Sequence, residues 1–252
     1  MDLELRGRKA IVTGATRGIG NRIARVLLEN GMDLAFCARD AASVADCVSE
    51  WESQGHRVKG DAVDVGNPEA YRAWLSEAAE WLGGCDAFVH NVSAGGGSGS
   101  DEKWRANFEI DLMGAVRGIE VLEPFLERDE GSVLFIVTTA ALEHYPFVQP
   151  YNILKAGLIV YAKQISQVLG KKGVRVNCIS PGATTFPGSN WESHKERFPD
   201  YYRATLAQIP SGRLGTAEEV ADAAAFLLSR RASWITGVNL IVDGGQTKRV
   251  SL

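Results

Sequence analysis

Residues 9–20 read KAIVTGATRGIG: a short apolar run enters a glycine-rich turn and opens directly into a helix-period stretch. No other segment constrains the fold as much. The turn needs backbone freedom, a phosphate must reach bare main chain, and the helix start must pack close to the strand. Gly14, Gly18 and Gly20 meet those needs in order. A helix N-terminus placed there offers free N–H groups and a partial positive charge to a pyrophosphate. A merely tight turn is the bland alternative. Its place after the first strand and at the head of a helix argues against that.

Six further apolar runs come later in the chain, at 33–38, 57–65, 86–91, 131–139, 174–180 and 238–245, with helix-period stretches between them. Strands alternating with helices predict an α/β fold: one doubly wound Rossmann-type domain over 1–252, with a seven-stranded parallel sheet and helices on both faces. Gly31, Gly55, Gly83–Gly84 and Gly173 stand where helices should end, and Asn67–Pro68 where one should start. Thr216 and Glu219 have the spacing of a capping box. AGGGSGS at 94–100 comes after a strand and reads as a loop at the ligand edge of the sheet.

The formal charge of −4 argues against a nucleic-acid or anionic-membrane partner, which needs clustered positive charge. Cys37, Cys47, Cys85 and Cys178 show no CxxC spacing, so they read as reduced core residues. His56, His90, His144 and His194 have no ligand spacing, and no metal site is expected. The N-terminus lacks a signal-peptide pattern, and no apolar run approaches the roughly 20 residues of a membrane span. A cytoplasmic protein is the expectation.

Residues 151–155 read YNILK. A tyrosine and a lysine at i and i+4 share one helix face. Such a pair is common and means little alone. Behind TGxxxGxG at 13–20 it means more, because the two motifs together resemble the short-chain dehydrogenase/reductase family, in its compact 3-oxoacyl reductase-like branch. The resemblance covers essentially the whole chain.

By that resemblance, the chain binds a nicotinamide dinucleotide through Gly14, Thr16, Arg17, Gly18, Ile19 and Gly20. Ala38 stands where an acid favouring NAD is expected, and Arg39 is the next residue. Arg17 and Arg39 would pair with a 2′-phosphate, which points to NADP(H). Alternatively both arginines are solvated and Asp40 takes the ribose. Asp64–Val65 matches the family's adenine contact. HNVSAG at 90–95 replaces the family's NNAG, so Asn91 and Gly95 carry over while His90 and Ser93 depart. Pro181, Gly182 and Thr184 match the family's nicotinamide-side turn. The family often has threonine four residues beyond that glycine, where this chain has Phe186.

Tyr151 is the implied acid/base, made more acidic by the ammonium of Lys155, which would also hold the nicotinamide ribose. The family's serine, thirteen residues before the tyrosine, is here Thr138, with Thr139 as the fallback. The family's asparagine, seven residues after a tryptophan, is here Asp111. Ionised aspartate accepts but cannot donate, and its charge would offset part of the help Lys155 gives Tyr151. Asp111 either anchors the family's water chain to the lysine or merely happens to be acidic.

Residues 183–213 are longer than most connections and carry Phe186, Trp191, Phe198, Tyr201 and Tyr202. The family uses this segment to cover the substrate, here an apolar or ring-bearing ketone or alcohol. The helices at 101–127 and 151–170 and the C-terminal DGGQTKRVSL would form interfaces of a homotetramer. The expected activity is NADP(H)-dependent carbonyl reduction or alcohol oxidation. The rival is a regulatory protein that binds NADP(H) but has lost efficient catalysis, with Asp111 and Thr138 as its support.

Overall fold

A computed structural model describes residues 2–97, 99–144 and 148–249. Seven parallel strands form the main sheet: β1 (Lys9–Thr13), β2 (Asp33–Ala38), β3 (Val58–Ala62), β4 (Ala87–His90), β5 (Ser132–Ile136), β6 (Arg175–Pro181) and β9 (Asn239–Val242). Their order is β3-β2-β1-β4-β5-β6-β9. The chain runs outward from β1 in one direction, then crosses back to β4 and runs outward in the other. The crevice at the C-terminal ends of β1 and β4 is therefore the topological switch point, where α/β sheets of this kind bind ligands. A separate two-stranded pair, β7 (Thr184–Thr185) with β8 (Gly215–Thr216), lies beyond the end of β6.

Strand alternation divides the core in two. Ala10, Val12, Leu34 and Phe36 face helices α1 (Gly18–Glu29), α2 (Ala41–Ser53) and α9 (Ala217–Leu228), which bury Ile23, Leu27, Trp51 and Leu228 there. Ile11, Ala35, Cys37, Phe88 and Phe135 face the other way. They pack on α3 (Pro68–Leu82), α5 (Gly114–Arg128) and α6 (Pro150–Leu169), which bury Tyr71, Ile119, Leu122 and Leu158. Each buried Val, Leu, Ile or Phe among them stabilises the fold by about 1.5–3 kcal/mol. All four cysteines are buried and unpaired. Among the described residues no helix is long and apolar enough to cross a membrane.

The helix boundaries obey the punctuation. Gly83 and Gly173 adopt left-handed conformations at φ 73° and 79° and end α3 and the turn after α6. Asn67 caps α3 through Ala70 N, with Pro68 at the first helical position. Thr216 and Glu219 form a reciprocal capping box on α9. One long helix was expected over 101–127. The structure instead has α4 (Asp101–Asn107), a π-helical stretch over Phe108–Met113, and then α5. Wide turns of this kind are rare and gather at functional sites; this one carries Asp111.

Between β7 and β8 lie α7 (Asn190–Arg197) and α8 (Pro199–Gln208), folded over a small cluster of Ala183, Ile209 and Leu214. Trp191 and Tyr202 pack against that cluster. Trp191 also stacks on Tyr201, with ring centres 5.7 Å apart and planes within 9°. Part of the aromatic content of this segment thus holds the segment together. Phe198 and Tyr201 remain exposed. The C-terminal tail expected at a subunit interface is described only to Arg249, so residues 250–252 lie outside the described residues.

Candidate active site

β1 delivers the glycine turn to the switch point. Gly14 and Gly18 have φ of 72° and 60°, which only glycine adopts without strain. Gly20 is needed for close approach: a Cβ there would lie 2.2 Å from Asn91 Nδ2 and 2.3 Å from Gly14 O. Asn91, at the end of β4, donates from Nδ2 to Thr13 O (3.1 Å) and Gly14 O (3.0 Å), so its amide holds the turn from below. Helix α1 has no side-chain cap and no acidic residue in its first turn. Its first N–H groups and positive end are thus left for an anion, as a dinucleotide pyrophosphate requires. Thr16 and Ile19 are half-buried at the same turn.

The side chains of Arg17 and Arg39 are exposed and make no ion pair or hydrogen bond among the described residues. Asp40 is engaged elsewhere. Its carboxylate accepts from Ser43 N (2.8 Å) and Ser43 Oγ (2.5 Å), which caps α2 and holds the group below the usual carboxylate range. At the end of β3, Asp64 is exposed with Oδ1 accepting from Gly66 N at 2.9 Å, and Val65 is buried. On the other side, Pro181 and Gly182 end β6. Gly182 meets Asp243 so closely that a Cβ would lie 2.6 Å from the Asp243 Cβ. Thr184 turns its hydroxyl back to Gly182 O (3.1 Å).

Tyr151 and Lys155 sit in the first turns of α6, with Pro150 starting the helix. Thr138 lies just past β5, with its side chain close enough to the Tyr151 phenol to pull its pKa down. Its Oγ1 also accepts from Ala140 N at 3.2 Å, which fixes it as the cap of a short 3-10 turn. Thr139 directs its hydroxyl to Pro181 O (3.3 Å), away from the tyrosine. Thr138 is therefore the hydroxyl beside Tyr151.

Lys155 is almost fully enclosed. Nζ donates to Ile136 O at 2.9 Å and lies 3.1 Å from Asp111 Oδ1. The second contact is an ion pair without the angular geometry of a hydrogen bond. The other carboxylate oxygen accepts from Ala94 N at 2.9 Å, so Asp111 also ties down the loop after β4. The π-helical stretch brings this carboxylate to the lysine.

That pair changes the electrostatics expected of the tyrosine. Tyr151 is pushed up to about 12, first by burial and then by the Asp111 charge, while the Thr138 bond pulls it down. A lowering by Lys155 was expected. Burial and then the Asp111 charge outweigh that help, and the phenol stays protonated at neutral pH.

His90 is a residue whose part the sequence did not reveal. Its ring is fully buried between Phe88 (centres 6.4 Å apart) and Phe135 (6.3 Å), and neither ring nitrogen has a hydrogen-bond partner of good geometry among the described residues. Burial, then the Lys155 charge, hold it down at about 3, with the backbone of Ile110 and Asp111 opposing part of that shift. It stays neutral beneath the π-helical stretch. A Cβ on Gly114 would lie 2.8 Å from its Cε1, so the ring sets how closely that stretch can approach the sheet. The departure from NNAG was the signal, but nothing in the sequence said what the ring would touch.

Known proteins resemble this chain over nearly its whole length. A family model described as enoyl-(acyl carrier protein) reductase matches residues 14–247. Isoepoxydon dehydrogenase of Penicillium expansum is 32% identical over 246 residues, covering 96% of this chain and 95% of that protein. The 3-oxoacyl-(acyl-carrier-protein) reductase of Vibrio cholerae is 33% identical, covering 96% and 98%. Among solved structures, L-sorbose reductase from Gluconobacter frateurii, complexed with NADPH and L-sorbose, superposes with a TM-score of 0.90 at 29% identity, covering 99% of this chain and all of that one. With the strand order, the glycine turn and the tyrosine–lysine helix already in place, these matches establish that the chain belongs to the short-chain dehydrogenase/reductase family of oxidoreductases.

Proposed function

We propose that the protein is an NADP(H)-dependent oxidoreductase acting on a ketone or secondary alcohol, with Tyr151 as acid/base. The observation that carries this reading is the convergence of Tyr151, Thr138 and the Lys155–Asp111 pair, in a chain whose α1 keeps an uncapped N-terminus at the switch point of the sheet. A nicotinamide cofactor, when bound, supplies or accepts the hydride. Gly14, Gly18, Gly20 and the start of α1 would hold its phosphates. Arg17 and Arg39, whose side chains have no partner among the described residues, suit a 2′-phosphate, and Asp40 is occupied by Ser43. The NADPH complex of L-sorbose reductase supports the same choice of cofactor.

Thr138 orients the substrate oxygen and Tyr151 Oη gives it a proton. A phenol held at about 12 stays protonated at neutral pH, which is the form that gives a proton during ketone reduction. NADPH as the cofactor makes reduction the favoured direction. Lys155, fixed by Ile136 O and Asp111, positions the helix face that carries the phenol. Residues 183–213 would cover the substrate and exclude water.

Two exposed apolar faces support a homotetramer. Ile153, Val160 and Val168 form a stripe along α6, and Trp234, Val238 and Leu240 lie at and before the β9 edge. Two different self-complementary faces close four copies into one assembly. Four buried, unpaired cysteines suit a cytoplasmic location.

The test adds NADPH or NADH with a panel of ketones and tracks the nicotinamide absorbance. Ketone-dependent oxidation of NADPH, with NADH poorer, supports the proposal. NADPH binding without turnover across a broad panel would return the regulatory reading.

A further inference from the structure

Phe186 stands where the family often has threonine, and the structure gives its ring an unexpected position. An ideal Cβ built on Gly18 would lie 2.8 Å from both Cε2 and Cζ of Phe186, and 3.2 Å from Cδ2. Glycine in a dinucleotide-binding turn lets bare main chain approach a pyrophosphate. Here an aromatic ring rests against Gly18 itself. In this chain Gly18 is required twice over, for its φ of 60° and for the ring it accommodates.

The ring reaches Gly18 from across the crevice. Thr184 and Thr185 are tied to Gly215 and Thr216 in the β7–β8 pair. Beyond them the chain turns sharply, with Ser189 N donating to Phe186 O at 2.9 Å and Gly188 at φ 76°. Phe186 thus belongs to the same segment as α7 and α8 but touches the opposite wall. It is half-buried, and its backbone is anchored on both sides.

We propose that Phe186 is a gate on the cofactor site: its ring closes over Gly18, and NADPH binds only after the ring swings away. This rests on the NADP(H) reading above. Binding is then a selection of the open arrangement, and apparent affinity is reduced by the fraction of molecules that are open. An open fraction of about 10% lowers apparent affinity about tenfold.

The experiment measures NADPH binding by nicotinamide fluorescence, at equilibrium and by stopped flow, in the full chain and in two variants. Phe186→Ala removes the ring, and Phe186→Thr also adds a hydroxyl. Both variants are expected to lower the NADPH Kd about tenfold. In the unaltered chain the observed rate should level off as NADPH rises, and in both variants it should climb linearly. Unchanged or weaker binding by Phe186→Ala would overturn the gate, as would tightening in Phe186→Thr alone, which would credit the hydroxyl. If the unaltered chain and both variants all fail to bind NADPH while the unaltered chain binds NADH, the NADP(H) reading falls, and the gate with it.

Discussion

Replacing Asp111 with Asn removes one charge from a place that water does not reach. The side chains of Lys155 and Asp111 are 2% and 0% exposed, with 3.1 Å between them. At that distance and an effective dielectric of about 20, their attraction is about 5 kcal/mol. Desolvation costs several kcal/mol for each ion, so the intact pair is close to neutral in net terms. Half of the pair is not: an uncompensated buried charge costs about 3–5 kcal/mol. Lys155 keeps Ile136 O at 2.9 Å, which places the loss near the lower end. At about 2–4 °C per kcal/mol for a chain of this size, Asp111→Asn should lower Tm by about 6–12 °C. The second readout is the pH profile. The Asp111 charge helps raise Tyr151 to about 12, so its removal lowers that value, while burial still acts upward. Alcohol oxidation needs the phenolate and rises through this pKa. Its rise should therefore move to lower pH in Asp111→Asn, while ketone reduction near neutral pH stays flat. An unchanged pH–rate profile would remove Asp111 from the proton path and refute the electrostatic argument.

Arg39→Asp should weaken NADPH selectively, by about 10–100-fold in kcat/KM, because charge-assisted bonds to a 2′-phosphate are each worth about 1.5–3 kcal/mol; NADH kinetics measured alongside should hold or improve. Thr138→Val keeps the shape and deletes the hydroxyl beside Tyr151, so kcat should fall about tenfold while Thr138→Ser retains activity. Tyr151 is raised above its ordinary value of 10, so its burial adds stability below about pH 10 that is lost as pH rises toward about 12. Denaturant unfolding of Tyr151→Phe should accordingly lose less stability over that interval than the unaltered chain. Val160→Asp with Val168→Asp places charges on the exposed stripe of α6 and should reduce the assembly seen by sedimentation, without loss of secondary structure.

The central strands of the sheet were legible because they are nearly continuous apolar runs, as strands buried on both faces must be, unlike the edge strand β3 with its Lys59 and Asp61. The alternation of Leu34 and Phe36 with Ala35 and Cys37 then decides which face each residue covers. The glycine turn and the capped helices were legible because they depend on local backbone chemistry. The π-helical stretch was not. Phe108–Met113 continues a helical pattern, and its wider turn is set by contacts with the sheet and α6, not by its own residues. The direction of the Tyr151 shift was missed for a related reason. It was expected that the Asp111 charge would offset part of the help from Lys155, but not that burial of the phenol, together with that charge, would outweigh it. Distances across the fold decide such balances. Phe186 was visible as a departure from threonine, while its contact with Gly18 joins positions 168 residues apart and leaves no local trace.

Tyr151→Phe tests the central claim most directly, because it deletes one oxygen and keeps the ring. Single-turnover reduction of a ketone substrate by NADPH, with cofactor binding measured in the same samples, should show intact binding and a rate lowered by about 10²–10⁴-fold. A variant that binds NADPH and turns over at the original rate would contradict the account, because the proton would then come from another group.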